Sequence, residues 1–569
     1  MKTFIARFLL VAIFLPLLFL TSSLKAQTVT ANSCSATDVK NAWATVTSAT
    51  KTFVIPAGTC DWSAGVGLTA PTGSTSLTIQ GAGSTTGSDS LGNPTGYNDQ
   101  TIIQINTGNA NPIGFNGSTS QTLLRLTGLS FQVLNGTSGC SVAFGGGQTA
   151  AMPTPFLRVD HTHWTTTQNG ICLGITFGAI WGVFDHNVTA VPISTSGTQS
   201  VTNFFRVGGG YTGDGFASGS FLWNHPTAFG SGQFLYFENN FITGGYMNDC
   251  NNGGKQVFRY NTVTHSVEQG HEMEGDARGC RATEYYKNNV TCDANNAAVS
   301  STRSGTMLVW GNTTSNCTGQ MIGLNNDRTN GHPFGPPPDW GYCGTLGTNP
   351  GPSPWDGNSS SAGWPCVDQP GRGQGDYIFG SAYGFGEPMR ANITLKICPT
   401  ASTSQAVCPA GYTIGNTSPG GGSWPRNALE PIYEWMDVRQ ADVGGDCGTP
   451  ANCLPNRDFY QETRNQTAQS SPTSPFNGTS GNGHGTLANR ATTCTPGPGG
   501  QFGAGPPGLG GSPGVGYWAT DTNTFYVCTA TNTWSTYYTP YAYPHPLITG
   551  GGTSGNAPAP PTNVSAAVH

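Results

Sequence analysis

Trp181-Gly-Val-Phe-Asp-His-Asn187 decides the fold, because the same phrase returns five more times in altered wording. Phe156-Leu-Arg-Val-Asp-His-Thr-His163 precedes it. Phe234-Leu-Tyr-Phe-Glu-Asn-Asn240, Gln256-Val-Phe-Arg-Tyr-Asn261, Ala282-Thr-Glu-Tyr-Tyr-Lys-Asn-Asn289 and Met307-Leu-Val-Trp-Gly-Asn312 follow. Each is a short β-rich run closed by Asn, or by His in the first case. Aligned on residues 163, 187, 240, 261, 289 and 312, the spacings are 24, 53, 21, 28 and 23, and 53 fits two turns. One strand per unit with a period in the twenties is the mark of a solenoid. A single unit cannot bury its own apolar face, whereas stacked units share one core. Asn at the strand end tolerates the left-handed bend, and stacked Asn side chains can bond along the stack. The expected fold is all-β: a right-handed parallel β-helix with long disulfide-stapled loops and a C-terminal β-hairpin.

Working outward, Ala36 to Thr47 is the one stretch that suits a helix, placed to cap the first coil. The pattern breaks between residues 316 and 461, where Pro and Gly are dense, and long stapled loops are expected there. Residues 495–516 form a Pro/Gly-rich linker without a collagen period. In residues 517–547, Thr524-Phe-Tyr-Val-Cys528 answered by Trp534 predicts a hairpin, followed by a closing segment. Residues 27–494 are assigned to the β-helix and 548–569 to a disordered tail. Residues 1–26 carry Lys2 and Arg7, an apolar run from Phe8 to Leu20 and a small-residue end at Ala26, the layout of a signal peptide. The apolar run is shorter than the roughly 20 residues that span a bilayer. An extracellular or periplasmic protein without a membrane span is therefore expected.

The composition agrees. All 16 Cys follow residue 26, which points to disulfides in an oxidising compartment. Cys34/Cys60, Cys280/Cys292, Cys343/Cys366, Cys398/Cys408, Cys447/Cys453 and Cys494/Cys528 are close enough in sequence to be local staples. Beyond residue 26 the chain holds 20 basic against 29 acidic residues and no basic block, which argues against nucleic acid.

Leu77-Thr-Ile-Gln-Gly-Ala-Gly83, Thr101-Ile-Ile103, Arg125-Leu-Thr-Gly-Leu-Ser-Phe131 and the Asn-ended strands resemble secreted bacterial β-helix proteins of the pectate-lyase-like superfamily. Trp364 to Gly373, Glu430-Pro-Ile-Tyr-Glu-Trp435 and Tyr541-Ala-Tyr-Pro-His-Pro-Leu547 extend the resemblance. It implies the fold; the activity stays open, because this fold carries lyases, hydrolases and adhesins. Ile180-Trp-Gly-Val-Phe-Asp-His186 is similar to a pectate-lyase phrase, but the Arg-x-Pro phrase of those enzymes is absent. Of the polygalacturonase motifs only Gly483-His-Gly485 occurs.

Two places could carry chemistry. The residues two before each terminal Asn read Asp185, Glu238, Arg259, Lys287 and Trp310, with apolar residues one step further back. Alternation puts this column outside, where a glycan chain could lie along Asp185, Glu238 and Trp310. An ordinary solvated face reads the same way. The densest charged stretch runs from His265 to Glu284. In it, His271, Arg278 and Arg281 are expected as catalytic groups together with Lys287 and Arg259, and Glu274 and Asp276 as Ca²⁺ ligands. A plain ion-pair network is the alternative. His161, His163, His186 and His225 form a second set near coil edges, read mainly as turn residues replacing Asn. The expected activity is a polysaccharide lyase cleaving an extracellular uronate-containing glycan. The alternatives are an inverting glycosidase using two of the same carboxylates and a non-catalytic glycan-binding or adhesion protein.

Overall fold

The structure, a computed structural model, describes residues 27–550 except 138, 147–154, 178–179, 192–202, 210–226, 252, 272–278, 294–297, 326–369, 374–396, 399–412, 415–427, 446–452, 464–475, 499–508 and 510. The described chain is almost entirely β. Its bulk is three parallel sheets of twelve, nine and ten strands. The chain visits them in rotation. Leu157–Asp160 lies in the first sheet, His163–Thr166 in the second, Cys172–Phe177 in the third, and Gly182–Asp185 returns to the first beside Leu157–Asp160. The same circuit recurs from Thr50 to Trp435, so each strand pairs with the one a full circuit away. The helix Ala36–Trp43 closes the first end, its amino terminus capped by the Ser35 hydroxyl accepting from the Asp38 N–H.

The sequence phrases turn the corner from the first sheet to the second. There the side chains of Asn187, Asn240, Asn261, Asn288 and Asn312 form one ladder. The Asn261 amide donates to Asn288 Oδ1 at 3.0 Å and to the Phe237 carbonyl at 2.9 Å, while its oxygen accepts the Asn240 N–H at 2.9 Å. Thr162 begins the ladder on Asn187, and Asp437 ends it on Asn312. The five Asn side chains are buried with both amide atoms engaged, as buried amides require.

The ladder corrects three expectations. Thr162, not His163, aligns with Asn187. Asn288, not Asn289, carries the fifth rung, so Tyr286 rather than Lys287 stands in register with Arg259 and Trp310. The 53-residue interval is one circuit, since Asn187 bonds directly to Asn240 and Gly182–Asp185 pairs with Leu235–Glu238. An insertion between coils changes the spacing without disturbing the stack, because a loop leaves the sheets at a corner.

Two cores share the first sheet. The inward column Phe184, Phe237, Phe258, Tyr285 and Val309 packs between the three sheets. Phe237 and Phe258 stack 4.6 Å apart and 5° from parallel. Such a side chain contributes about 1.5–3 kcal/mol by burial. The outward column is buried too. Tyr236, Tyr286, Trp310 and Trp435 pack against a four-stranded sheet built from Asn482–Gly485, Gly516–Ala519, Thr524–Ala530 and Thr533–Tyr538. Its last two strands form the expected antiparallel pair, with Cys528 opposite Trp534. The chain then runs back over the first sheet as Tyr541–His545 and the short helix Pro546–Gly550. Among the described residues no helix is long and apolar enough to cross a membrane.

Cys34–Cys60 and Cys494–Cys528 are bonded as expected. Cys280 and Cys292 do not pair with each other. Cys250–Cys280 and Cys292–Cys317 form instead, with Cα–Cα distances of 5.0 and 4.9 Å, and Cys140–Cys172 is a further bridge. Cys280 and Cys292 sit at different corners of one circuit, whereas these bridges join successive circuits, where stacking brings Cα atoms within bonding reach. Of the pairs expected at Cys343/Cys366, Cys398/Cys408 and Cys447/Cys453, only the Cys453 side chain lies among the described residues, and it is buried.

Candidate active site

The outward column is not a groove. Asp185, Glu238, Arg259 and Trp310 are at most 3% exposed. Arg259 donates through Nε to Glu238 Oε2 at 2.7 Å, and through its terminal nitrogens to the Tyr286 hydroxyl and to the carbonyls of Tyr541 and Ala542 at 2.8–3.0 Å. The C-terminal segment therefore occupies the face that alternation alone marks as solvent-facing. Trp310 is sandwiched between Tyr286 and Trp435 and touches Trp518.

Nor does the structure gather the other expected residues. Arg281 precedes the strand Ala282–Tyr286 and is a buried ion pair with Glu430, its second nitrogen 3.1 Å from Oε1. Lys287 follows the same strand, about 20 Å away at 3.3 Å per residue. It is exposed, 3.3 Å from the Tyr260 hydroxyl and over the faces of Tyr260 and Trp310. His271 follows a strand of the third sheet, its backbone bonded to Cys250 and Cys280. Glu274, Asp276 and Arg278 lie outside the described residues, as does His225. Among the described residues no group of three or more His, Cys, Asp or Glu side chains is placed to hold a metal ion.

What the corner does expose is histidine. The residue before each ladder rung adopts a left-handed backbone: His161 (φ 50°), His186 (55°), Asn239 (55°), Tyr260 (57°), Lys287 (55°), Gly311 (64°) and Met436 (56°). This conformation is costly away from Gly and is held in place by the ladder. His161 and His186 occupy successive steps of this row, their rings stacked 5.5 Å apart and 5° from parallel. The side chains are 38% and 19% exposed.

Each ring is backed by a fully buried carboxylate. His161 Nδ1 lies 2.8 Å from Asp160 Oδ2, and His186 Nδ1 lies 3.0 Å from Asp185 Oδ2. Asp160 accepts two bonds from Arg125 and one from the Thr127 hydroxyl. Asp185 takes a bidentate pair from Arg158 at 2.9 and 3.0 Å. Burial alone would raise both carboxyls; the guanidinium and imidazole partners outweigh it and hold them low. Burial works against a charge on His186, yet the bond and the attraction from Asp185 raise its pKa above the ordinary imidazole value. Each dyad fixes the ring tautomer and leaves Nε2 as the free nitrogen, and among the described residues no partner meets it. This arrangement suits proton transfer at an outside atom.

Neighbouring elements flank the pair. On one side the antiparallel strands Ser84–Thr86 and Gly96–Asn98 bring Tyr97, whose hydroxyl donates to the His161 carbonyl at 2.7 Å and whose ring stacks on His163. His163 in turn bonds Asp99 at 2.9 Å. On the other side Tyr543 lies 3.9 Å over Tyr260 and donates to Asn239, which also donates to Asn93. The two flanks thus meet over Asn239, next to the histidines. In the sequence these histidines read mainly as turn residues. The signal was the twice-repeated Asp-His pair at the end of a strand; two such pairs one circuit apart must stack.

No protein-family model matches the chain, and neither does any curated protein. Among solved structures, the chain is similar to an alginate lyase from Paenibacillus sp. str. FPU-7 at 14% identity. The alignment covers 50% of this chain and 95% of that one, with a TM-score of 0.25, too loose a fit to carry an argument.

Proposed function

We propose that the chain is an exported right-handed parallel β-helix that cleaves a uronate-containing polysaccharide by β-elimination at the His161/His186 pair. The rotation of the chain through three parallel sheets supports the helix, and its hand follows the general rule for parallel crossovers. Five disulfides with both partners among the described residues, and the leader-like first 26 residues, support export. The observation that carries the activity is the stacking of two part-exposed imidazoles on separate buried carboxylates.

Elimination needs a base, a cation and an acid. The base removes the proton on the carbon beside the substrate carboxylate. That electron pair forms a carbon–carbon double bond and expels the glycosidic oxygen on the next carbon, which takes up a proton. Asp160 is bonded by Arg125 and Thr127 and lies 3.6 Å from Arg158, whereas Arg158 is the guanidinium bonded to Asp185. Asp185 holds His186 above the ordinary imidazole value, so His186 is assigned the cationic role. As the imidazolium its charge attracts the substrate carboxylate and its Nε2–H protonates the leaving oxygen, while His161 Nε2 takes the carbon-bound proton.

The chain should be incubated with polymers of galacturonate, glucuronate, mannuronate and guluronate, with and without a chelator. An ultraviolet-absorbing unsaturated end on at least one polymer is expected. New reducing ends without that absorbance would instead make the chain a hydrolase, and binding without turnover would make it a glycan-binding protein.

A further inference from the structure

At the far end of the stack from the capping helix, the last circuit closes on a cavity of about 320 Å³ that plays no part in the chemistry above. Asp442, Asn456, Phe459, Gln461, Glu462 and Ser480 are among the residues that line it. The size is at the small end of ligand sites, roughly 300–1,000 Å³. The polar groups are pre-oriented. Gln461 Oε1 accepts the Val443 N–H at 2.9 Å, and Asn456 Oδ1 accepts the Gly481 N–H at 2.6 Å. A backbone N–H can only donate, so these bonds fix which end of each amide is oxygen and leave the NH₂ ends for another partner. Among the described residues no partner meets Asn456 Nδ2 or Gln461 Nε2.

The acceptors are equally fixed. Glu462 is buried, held by the Met436 N–H at 2.7 Å and by His484. Asp442 is half exposed and anchored by Arg439, which also bonds Glu434 at 2.9 Å. The lining thus carries two carboxylates, Asp442 and Glu462, and no Lys or Arg, so the cavity is acidic. Two free amide donors, two carboxylates, a hydroxyl and an aromatic ring match the alternating hydroxyls and apolar face of a sugar. The acidic balance rejects a sugar that carries its own carboxylate. We infer that this terminal cavity is a binding site for a neutral sugar residue, separate from the histidine pair.

The test uses the full chain, with binding read by calorimetry or ligand-observed NMR. The probes are glucose, galactose, mannose and their short oligomers, each beside the corresponding uronic acid. At least one neutral sugar is expected to bind, and its uronic acid about tenfold or more weakly. Gln461→Glu and Asn456→Asp keep the oxygen that accepts the backbone N–H while replacing the free NH₂ by a carboxylate oxygen. Each is expected to weaken the neutral sugar about tenfold, the scale of one lost hydrogen bond. Two independent variants guard against one failing to fold, which circular dichroism reports. The inference is overturned if no neutral sugar binds, if the uronic acid binds as well, or if either folded variant binds like the parent. None of these outcomes bears on the histidine pair, which turnover measures separately.

Discussion

At the scale of single residues, the ladder and the dyads rest on the same corner. Asn261 bonds Asn240, Asn288 and the Phe237 carbonyl, all in a dry interior. Asn261→Ala removes these bonds and leaves buried groups without partners on both neighbouring circuits. It should cost about 2–4 kcal/mol in chemical denaturation; a loss under about 0.5 kcal/mol would mean the rungs are replaceable by water. His186→Gln keeps the ring-sized polar group but not the charge. Because His186 must be cationic in the proposed reaction, activity should fall as pH rises through its raised pKa, and the variant should lack that alkaline limb. A variant with the parent's pH profile would assign the limb to another group.

At the scale of elements, the C-terminal segment is part of the fold. Its carbonyls at Tyr541 and Ala542 accept hydrogen bonds from Arg259, and its His545 N–H reaches Glu238 at 3.2 Å. Arg259→Met would leave Glu238 buried without its cation, at a cost of about 3–5 kcal/mol. It should also expose the segment to limited proteolysis near Tyr541; an unchanged cleavage pattern would show that the aromatic contacts alone hold it. This element explains what sequence could and could not tell. The strands from Leu77 to Trp310 were legible because an inward apolar residue recurs at each circuit whatever happens in the loops. The phrase Ile432-Tyr-Glu-Trp-Met-Asp437 continues the series after a long interruption, with Asp437 in place of Asn. Alternation, however, reports only that a side chain leaves the inner core. It cannot report that a segment some 280 residues later covers it, so Asp185, Glu238 and Arg259 read as a groove while forming buried ion pairs. His161 and His186 carried the opposite ambiguity. They read as turn residues, which they are, and the same turn is what holds them outside.

At the scale of the whole molecule, buried carboxyls set a pH dependence of stability. Burial pushes Glu268, inside the stack, and Glu284, beneath the C-terminal sheet, from 4.5 up to about 7. Asp437 at the end of the ladder is likewise raised by burial to about 7. A carboxyl raised on folding contributes stability that is fully present below its unfolded pKa and lost as pH rises through the folded value. The melting temperature should therefore fall between about pH 4.5 and 7, and Glu284→Gln should flatten part of that slope. Lys255, lowered by burial to about 7, acts in the other direction, relieving its cost as pH rises from there toward 10.5. The two together place the loss of stability on the acid side of neutrality and a partial recovery on the alkaline side. A melting temperature that rose steadily from pH 4.5 to 7 would contradict this account of the interior.

The most direct test of the central claim compares His161→Ala, His186→Ala and His271→Ala with the parent on a polymer that the parent cleaves. Unsaturated ends are followed by ultraviolet absorbance, and each variant's fold is checked by its melting temperature. Loss of a general acid or base costs about 10²–10⁴-fold. The twin-dyad account predicts that loss in kcat for His161→Ala and His186→Ala, with His271→Ala close to the parent. Near-parental rates in both dyad variants, with activity lost in His271→Ala, would contradict it and return the chemistry to the charged stretch between His265 and Glu284.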